Sequence, residues 1–364
     1  MNTLGCGAYL KNRACLLQGD RVHWSALHGD LDDPAACAAL AGAIDDLAAR
    51  APLHAVAHDL HPDFHSTRLA IELAQRLGVP AVAVQHHHAH IAVVLAEHGI
   101  DAPVIGLALD GVGLGADGSA WGGEVLWVDN DARWQRRAHL APLRLPGGDI
   151  AAREPWRLAA GLLFDAGRGD EIEARFGARV GNAHGLHTLL QRGLNCPQST
   201  AAGRWFDAAA GALGLSIRQS CEAEAAIALE QAAARWLQAH PGFAFEWNML
   251  DLSPLLQQLF ELPAQGADAV ARGAAMFHLA LADGLSRRAV AAAAEHHVDT
   301  VVLAGGCFAN RILATCLKAH LQRAGLRVLE SLSAGCGDAG LALGQAWVAA
   351  ATLRARLAAE AAEA

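Results

Sequence analysis

AVAVQHHHAHIAVVLAEHG, residues 81–99, decides how the rest of the chain is read. Its apolar opening, Val82–Val84, has the length of a buried strand. It runs into three consecutive histidines, a fourth at His90, and an amphipathic helical pattern closed by Gly99. A strand passing straight into a helix is the repeating unit of α/β proteins. Outward from this stretch the alternation continues, with apolar runs at Val104–Leu109 and Thr300–Ala304 that stop at Asp or Gly. Helical patterns dominate residues 151–240, and an alanine-rich one covers 267–297, so helices should form or line a second lobe. Breaks at Pro142–Asp149 and Pro241–Gly242 are too short and too apolar for disordered linkers and read as turns. The C-terminal ARLAAEAAEA reads as a surface helix.

At ~100–200 residues per domain, 364 residues allow two or three domains, and 53% hydrophobic residues suffice for more than one core. Twenty-eight Lys and Arg against 37 Asp and Glu leave a formal charge of −9, which provides no overall positive field for a phosphate backbone. No nucleic-acid partner is expected. The opening MNTLGCGAYLKN lacks a basic segment followed by an apolar run, and no stretch of 18 uninterrupted apolar residues occurs. A cytoplasmic protein with no membrane partner is the expectation. Eight cysteines without a C-x-x-C pair exclude zinc ribbons and thioredoxin-like motifs and read as reduced thiols.

Nineteen histidines exceed what packing requires. His86 and His90 stand four apart, a spacing that stacks two imidazoles on one helix face and suits a divalent metal; the alternative is a polar helix start in a histidine-rich chain. His87 and His88 then point elsewhere, as supporting or substrate-facing candidates. Carboxylates should complete the site. Asp110 ends the strand VIGLAL and is followed by Gly111 and Gly113, whose backbone N–H groups can approach a nucleotide anion closely, with a tight hairpin at Asp117-Gly118. Asp338 lies in a glycine-rich turn that opens a long helix, where it is either a ligand or a capping residue. Gly305 and Gly306 separate a buried strand from a helix start, and Asn310 and Arg311 can add side-chain donors for a phosphate; a generic strand-turn-helix is the alternative. Neither a P-loop nor a Rossmann fingerprint is present. Gly203, Arg204, Asp207 and Glu222 offer groups for ribose hydroxyls, or else a solvated face. Two further segments, HDLHPDFHSTR (58–68) and LPGGDIAAREPWR (145–157), are dense in polar residues beside Pro and Gly and belong at a ligand mouth or on the surface.

In chain order AHDLHPDFHSTRLA, VAVQHHHAHIA, LALDGVGLGADGSAWGGEV, LPGGD, REPWR, AGRWFDA, AGGCFANRIL and GDAGLALGQ resemble the C-terminal domain of the HypF carbamoyltransferases, which mature [NiFe]-hydrogenases. The likeness begins at GAYLKN, residues 7–12, and covers nearly the whole chain. It implies a TsaD-like α/β fold of the ASKHA (actin-like ATPase/sugar kinase) group: two related lobes, an interlobe nucleotide cleft and extra helices. The lobes are expected at 1–140 and 141–345, with a C-terminal helix at 346–364. It also implies that His86, His90, Asp110 and Asp338 hold a divalent metal, Zn or Fe. Gly203, Asp207, Gly305, Gly306 and Asn310 would hold ATP, AMP or carbamoyl adenylate. The implied reaction takes a carbamoyl group from carbamoyl phosphate, through the adenylate, to the C-terminal cysteine of HypE. The family's acylphosphatase-like, C-x-x-C and YrdC-like modules have no counterpart in these residues, so either a separate YrdC-like or acylphosphatase-like protein supplies those steps or this chain uses carbamoyl phosphate by another route. Cys221 stands where the family's motif has an aromatic residue. Rival readings are a carbamoyl phosphate or carbamoyl adenylate hydrolase, a non-catalytic nucleotide-binding subunit, and a tRNA threonylcarbamoyltransferase, whose relatives typically carry Glu where this chain has His88.

Overall fold

The computed structural model describes residues 1–363. The first sheet contains β1 (Asn2–Gly5), β2 (Cys15–Gln18), β3 (Arg21–Trp24), β4 (Ala55–Asp59) and β5 (Ala81–Val84), in the order β3-β2-β1-β4-β5. Helices α1 (Pro34–Ala48) and α2 (His65–Leu77) make the crossovers that bring β4 and β5 parallel to β1, while β1, β2 and β3 are antiparallel neighbours. After β5 the chain enters α3 (His86–His98), which carries it to the second sheet.

That sheet holds β6 (Val104–Leu114), β7 (Ala120–Val128), β8 (Trp134–His139), β9 (Leu143–Arg144), β10 (Gln198–Ser199), β11 (Thr300–Ala304) and β12 (Arg327–Glu330). An antiparallel meander of β6, β7 and β8 again has two parallel strands, β11 and β12, added beyond its first member. Both sheets therefore follow one plan, as the two related α/β lobes anticipated above require. Around the second sheet lie α4 (Ile150–Arg153), α5 (Pro155–Asp165), α6 (Glu171–Val180), α7 (Ala183–Gln191), α8 (Ala202–Ala212), α9 (Glu224–Ala239), α10 (Ser253–Leu259), α11 (Ala267–Glu295) and α12 (Arg311–Arg323). The largest core cluster is theirs, with Trp205, Phe206, Phe260 and Phe277 fully buried. No helix among the described residues is long and apolar enough to cross a membrane.

The sheets change over earlier than residue 140. The Asp117-Gly118 hairpin pairs β7 with β6, and β11 adds to the other edge of β6, so every strand from Val104 onward belongs to the second sheet. Nor does a separate C-terminal piece begin at 346. Helix α13 (Leu341–Glu363) packs across β1, β2 and β4 of the first sheet and along α3, burying Ala342, Ala346, Ala349 and Ala350. Its small residues permit that approach: a Cβ on Gly344 would lie 1.9 Å from the Ala89 carbonyl oxygen of α3, and one on Gly5 2.0 Å from that of Ala342. Only the last turns are solvent-exposed. Helix α3 also differs from the amphipathic reading, because it sits between α13 on one side and β6 and β11 on the other, and every residue from His86 to Leu95 is buried.

Gly344→Ala should force α13 off α3 and lower the unfolding free energy by about 1–3 kcal/mol, the usual cost of an inserted methyl in a packed core. Urea unfolding checks this, and an unchanged midpoint would mean that α13 is not seated on α3 as described.

Candidate metal and nucleotide site

Four side chains from three elements meet where the lobes face each other. His86 and His90 occupy the first turn and a half of α3, with ring centroids 4.9 Å apart. Gln85 fixes the start of that helix by accepting the His88 N–H at 2.9 Å. Asp110 lies on β6 where the register against β7 shifts between Leu109 and Gly113, an irregularity that re-aims a strand residue. Asp338 lies in the short 3₁₀ turn that leads into α13. Asp110 Oδ2 is 3.3 Å from His86 Nε2 and 3.2 Å from His90 Nε2; Asp338 Oδ1 is 3.8 Å and 3.5 Å from the same two nitrogens. One ligand atom from each of the four lies within 4.8 Å of the others.

Tautomer and charge follow from a fifth residue. Asp59, fully buried at the end of β4, places Oδ2 2.7 Å from His86 Nδ1, and its Oδ1 accepts the His61 N–H at 2.9 Å. His86 therefore donates through Nδ1 and turns Nε2 toward Asp110 and Asp338. A bare nitrogen lone pair facing two carboxylates is repulsive, so a proton or a cation belongs between them. Burial alone would lower the basicity of both imidazoles, yet Asp59 and Asp110 raise His86 well above the ordinary histidine value, and Asp110 and Asp338 raise His90. Burial likewise pushes Asp110 up, but the two imidazoles hold it well below the usual carboxylate range. A buried carboxylate–histidine pair with paired nitrogen and oxygen donors beyond it fits a divalent first-row cation. Asp59 lay in the polar segment 58–68 without an assigned role; its signal was a carboxylate ending a buried strand.

His87 and His88 do not face a substrate. Both are buried, 6.2 Å from Trp121 and 6.4 Å from Trp134 respectively between ring centroids. Burial lowers His87 well below its ordinary value and His88 to about 4, so both are neutral.

Two cavities open over the cluster. One, of about 290 Å³, takes in Phe206, Ile227, Glu230 and Asn310. The other, of about 680 Å³, takes in Leu10, Arg153, Cys221 and Asp338. Lys11, Asp110, Gly111, Arg204, Glu222 and Gly306 border both. Gly203 and Asp207 line the first cavity.

Other assignments change. Gly113 and Gly305 line neither cavity: a Cβ on Gly113 would sit 2.7 Å from the His86 ring, and one on Gly305 2.3 Å from the Leu109 carbonyl oxygen. They are close-packing positions. Arg311 also lines neither; its backbone N–H donates to Glu230 Oε1 at 2.8 Å, and the residue is exposed. Asn310 borders the cavity, but its Oδ1 caps α12 through the Leu313 N–H at 3.0 Å and its Nδ2 donates to His278 Nε2 at 2.9 Å. Both polar groups of Asn310 are thus engaged in holding the loop. Glu222, which borders both cavities, reaches across the lobes to Lys11, Oε2 to Nζ 2.6 Å. Lys11, which no local motif marks, is a second cation of the cleft beside Arg204. Asp207 pairs with Arg204 at 2.9 Å and accepts from Gln219 Nε2 at 3.0 Å, and burial pushes its carboxyl up to about 6.

Known proteins align with this arrangement. The profile described as HypF Kae1-like domain matches residues 1–97, and that described as Carbamoyltransferase, Kae1-like Domain, second subdomain, matches 106–345. A protein named Carbamoyltransferase HypF homolog from Cupriavidus necator is 56% identical over 359 residues, covering 95% of this chain and 91% of that one. Carbamoyltransferase HypF2 of the same organism is 48% identical over 380 residues, 96% of this chain but 46% of its own length. The crystal structure of full-length HypF in the phosphate- and nucleotide-bound form superposes with a TM-score of 0.84 at 32% identity, over 96% of this chain and 55% of that one. The chain thus spans about half the length of these longer proteins.

The two imidazoles should respond differently to truncation. His90→Ala removes a ligand and should abolish stoichiometric Zn uptake with little loss of stability. His86→Ala should do the same and also cost about 3–5 kcal/mol, because Asp59 is left buried and unpaired; equal unfolding midpoints by urea titration would contradict the Asp59–His86 pairing. For Asp207 the folded value, about 6, lies above its ordinary 3.8, so its contribution is complete below pH 4 and is lost as pH rises through 6. Relative to Asp207→Asn, the wild type should therefore lose on the order of 3 kcal/mol between pH 4 and 7. Parallel stability–pH curves for the two proteins would refute this.

Proposed function

Because the chain belongs to the HypF carbamoyltransferase family, we propose that it is an enzyme of that type, moving a carbamoyl group from carbamoyl adenylate to the C-terminal cysteine thiol of HypE, in the synthesis of the cyanide ligand of [NiFe]-hydrogenases. The observation that carries this reading is the convergence of His86, His90 and Asp338 on Asp110, which lines the wall shared by two adjoining cavities. A mixed anhydride lying across that wall has its nucleotide on one side and its carbamoyl carbon reachable from the other.

When bound, a divalent metal (Zn or Fe) supplies Lewis acidity toward phosphate or carbonyl oxygen. The chain's own residues orient the substrate and balance its charge. Lys11 and Arg204 stand at the border of both cavities, where an anhydride phosphate would lie, and Gly111 and Gly306 admit it close to the backbone. As AMP departs, Lys11 exchanges its surface partner Glu222 for phosphate oxygen. Cys307 and Cys336, the thiols nearest Asp110, are poor nucleophiles: burial raises Cys307 well above the ordinary thiol value and also raises Cys336, and Asp110 adds to both shifts. The attacking thiol then comes from the acceptor. Making carbamoyl adenylate from ATP and carbamoyl phosphate falls, in this reading, to YrdC-like and acylphosphatase-like partners or modules.

With carbamoyl-labelled substrate, nucleotide and Zn or Fe, label should appear on the HypE tail, and Lys11→Met should slow transfer by about 10²-fold. Label released as ammonia and carbonate at a rate indifferent to HypE would overturn transfer in favour of hydrolysis.

A further inference from the structure

Asp338 reaches the site from a segment without regular structure. Between β12 and the 3₁₀ turn at Asp338 the chain reads SLSAGCG, residues 331–337, with glycines at 335 and 337 and no ladder to occupy its backbone N–H groups. One side chain satisfies three of them. Glu97, in the last turn of α3, accepts from the backbone N–H of Leu332, Ser333 and Ala334, each at 2.7 Å, and from the hydroxyls of Ser331 at 2.8 Å and Ser333 at 2.9 Å. Its neighbour His98 adds a bond from Nε2 to the Glu330 carbonyl oxygen at 2.8 Å. Past Ala334 only three residues remain before Asp338, and Cys336 is pinned through its carbonyl oxygen to the Gly305 N–H at 3.0 Å.

Helix α3 thus carries two imidazole ligands at one end and, roughly 16 Å away at 1.5 Å per residue, the carboxylate that anchors the segment delivering a third ligand. We propose that Glu97 is a positioning residue for the metal site, holding residues 331–334 so that Asp338 meets His86 and His90. Five donors on one carboxylate exceed what a surface turn requires, and charge-assisted bonds of this length are about twice as strong as neutral ones. This inference rests on the metal reading of the site. The competing account is that the packing of α13 alone places Asp338, with Glu97 merely tidying a surface turn.

The experiment uses the full chain and its Glu97→Ala, Glu97→Gln, Asp338→Ala and Glu97→Ala/Asp338→Ala forms. Zn affinity is measured by competition with a chromophoric chelator, and backbone order by hydrogen exchange across residues 330–342. Glu97→Ala should weaken Zn binding 10- to 100-fold, the usual consequence of losing a partner that orients a ligand, and should speed exchange in that segment without altering α3. Glu97→Gln should follow it, since an amide NH₂ faces backbone donors. Adding Glu97→Ala to Asp338→Ala should cost no further affinity, which a general stability defect would not reproduce. Unchanged Zn affinity in Glu97→Ala, or full additivity in the double form, overturns the proposal. If the wild type takes up no Zn, the metal reading itself fails, and hydrogen exchange decides the rest: faster exchange at 335–340 in Glu97→Ala supports the anchoring, and unchanged exchange overturns it.

Discussion

Two imidazoles and three carboxylates are held within a few ångströms in a site where burial penalises every charge. Separately, each group would neutralise or turn to water. Together they tolerate burial because the charges alternate: Asp59 faces His86, and His86 and His90 face Asp110 and Asp338. That constraint explains features that would be costly elsewhere. The irregularity in β6 turns Asp110 toward the cleft, Gly113 gives up a side chain so that the strand can approach His86, and α13 is built of Ala and Gly where it crosses α3 and β1.

It also explains why α3 is buried on all sides for ten residues. A helix carrying ligands for an interlobe site must touch both sheets, so its apolar surface cannot form one stripe. The amphipathic reading of the helix closed by Gly99 failed for that reason: Ile91 and Leu95 pack toward β6 and β11, while Ala89 and Ala92 pack toward α13. Four-residue histidine spacing remained legible because it depends only on the pitch of one helix. Asp110 and Asp338 were legible as strand-end and turn carboxylates.

Other parts of the site were legible only in part, and each for an identifiable reason. Asp59 acts through His86 over 27 residues of separation, which no local pattern encodes. Asn310 caps α12, a role that sequence does not separate from phosphate donation, because a helix N-cap and a phosphate donor call for the same residue in the same position. Gly113 and Gly305 were read as anion-cradling residues, whereas their lack of Cβ serves close packing; sequence alone does not distinguish a backbone that approaches a ligand from one that approaches a side chain. The hairpin at Asp117-Gly118 looks the same in sequence whichever sheet it joins, and only the pairing of β11 with β6 assigns it to the second.

The cleft raises a question of what holds the lobes. The Lys11–Glu222 pair spans the mouth at 2.6 Å, but both side chains are more than half exposed, and such pairs contribute about 0–1 kcal/mol. A contact that weak cannot set the angle between two cores. Helices α3 and α13 can, since their shared seam is buried and permits no added methyl at Gly344. The metal ligands lie at the ends of that seam, His86 and His90 at the start of α3 and Asp338 just ahead of α13. The rigid part of the interlobe junction is therefore also the part that positions the ligands, whereas Lys11 and Glu222, on exposed segments, can exchange partners without disturbing it.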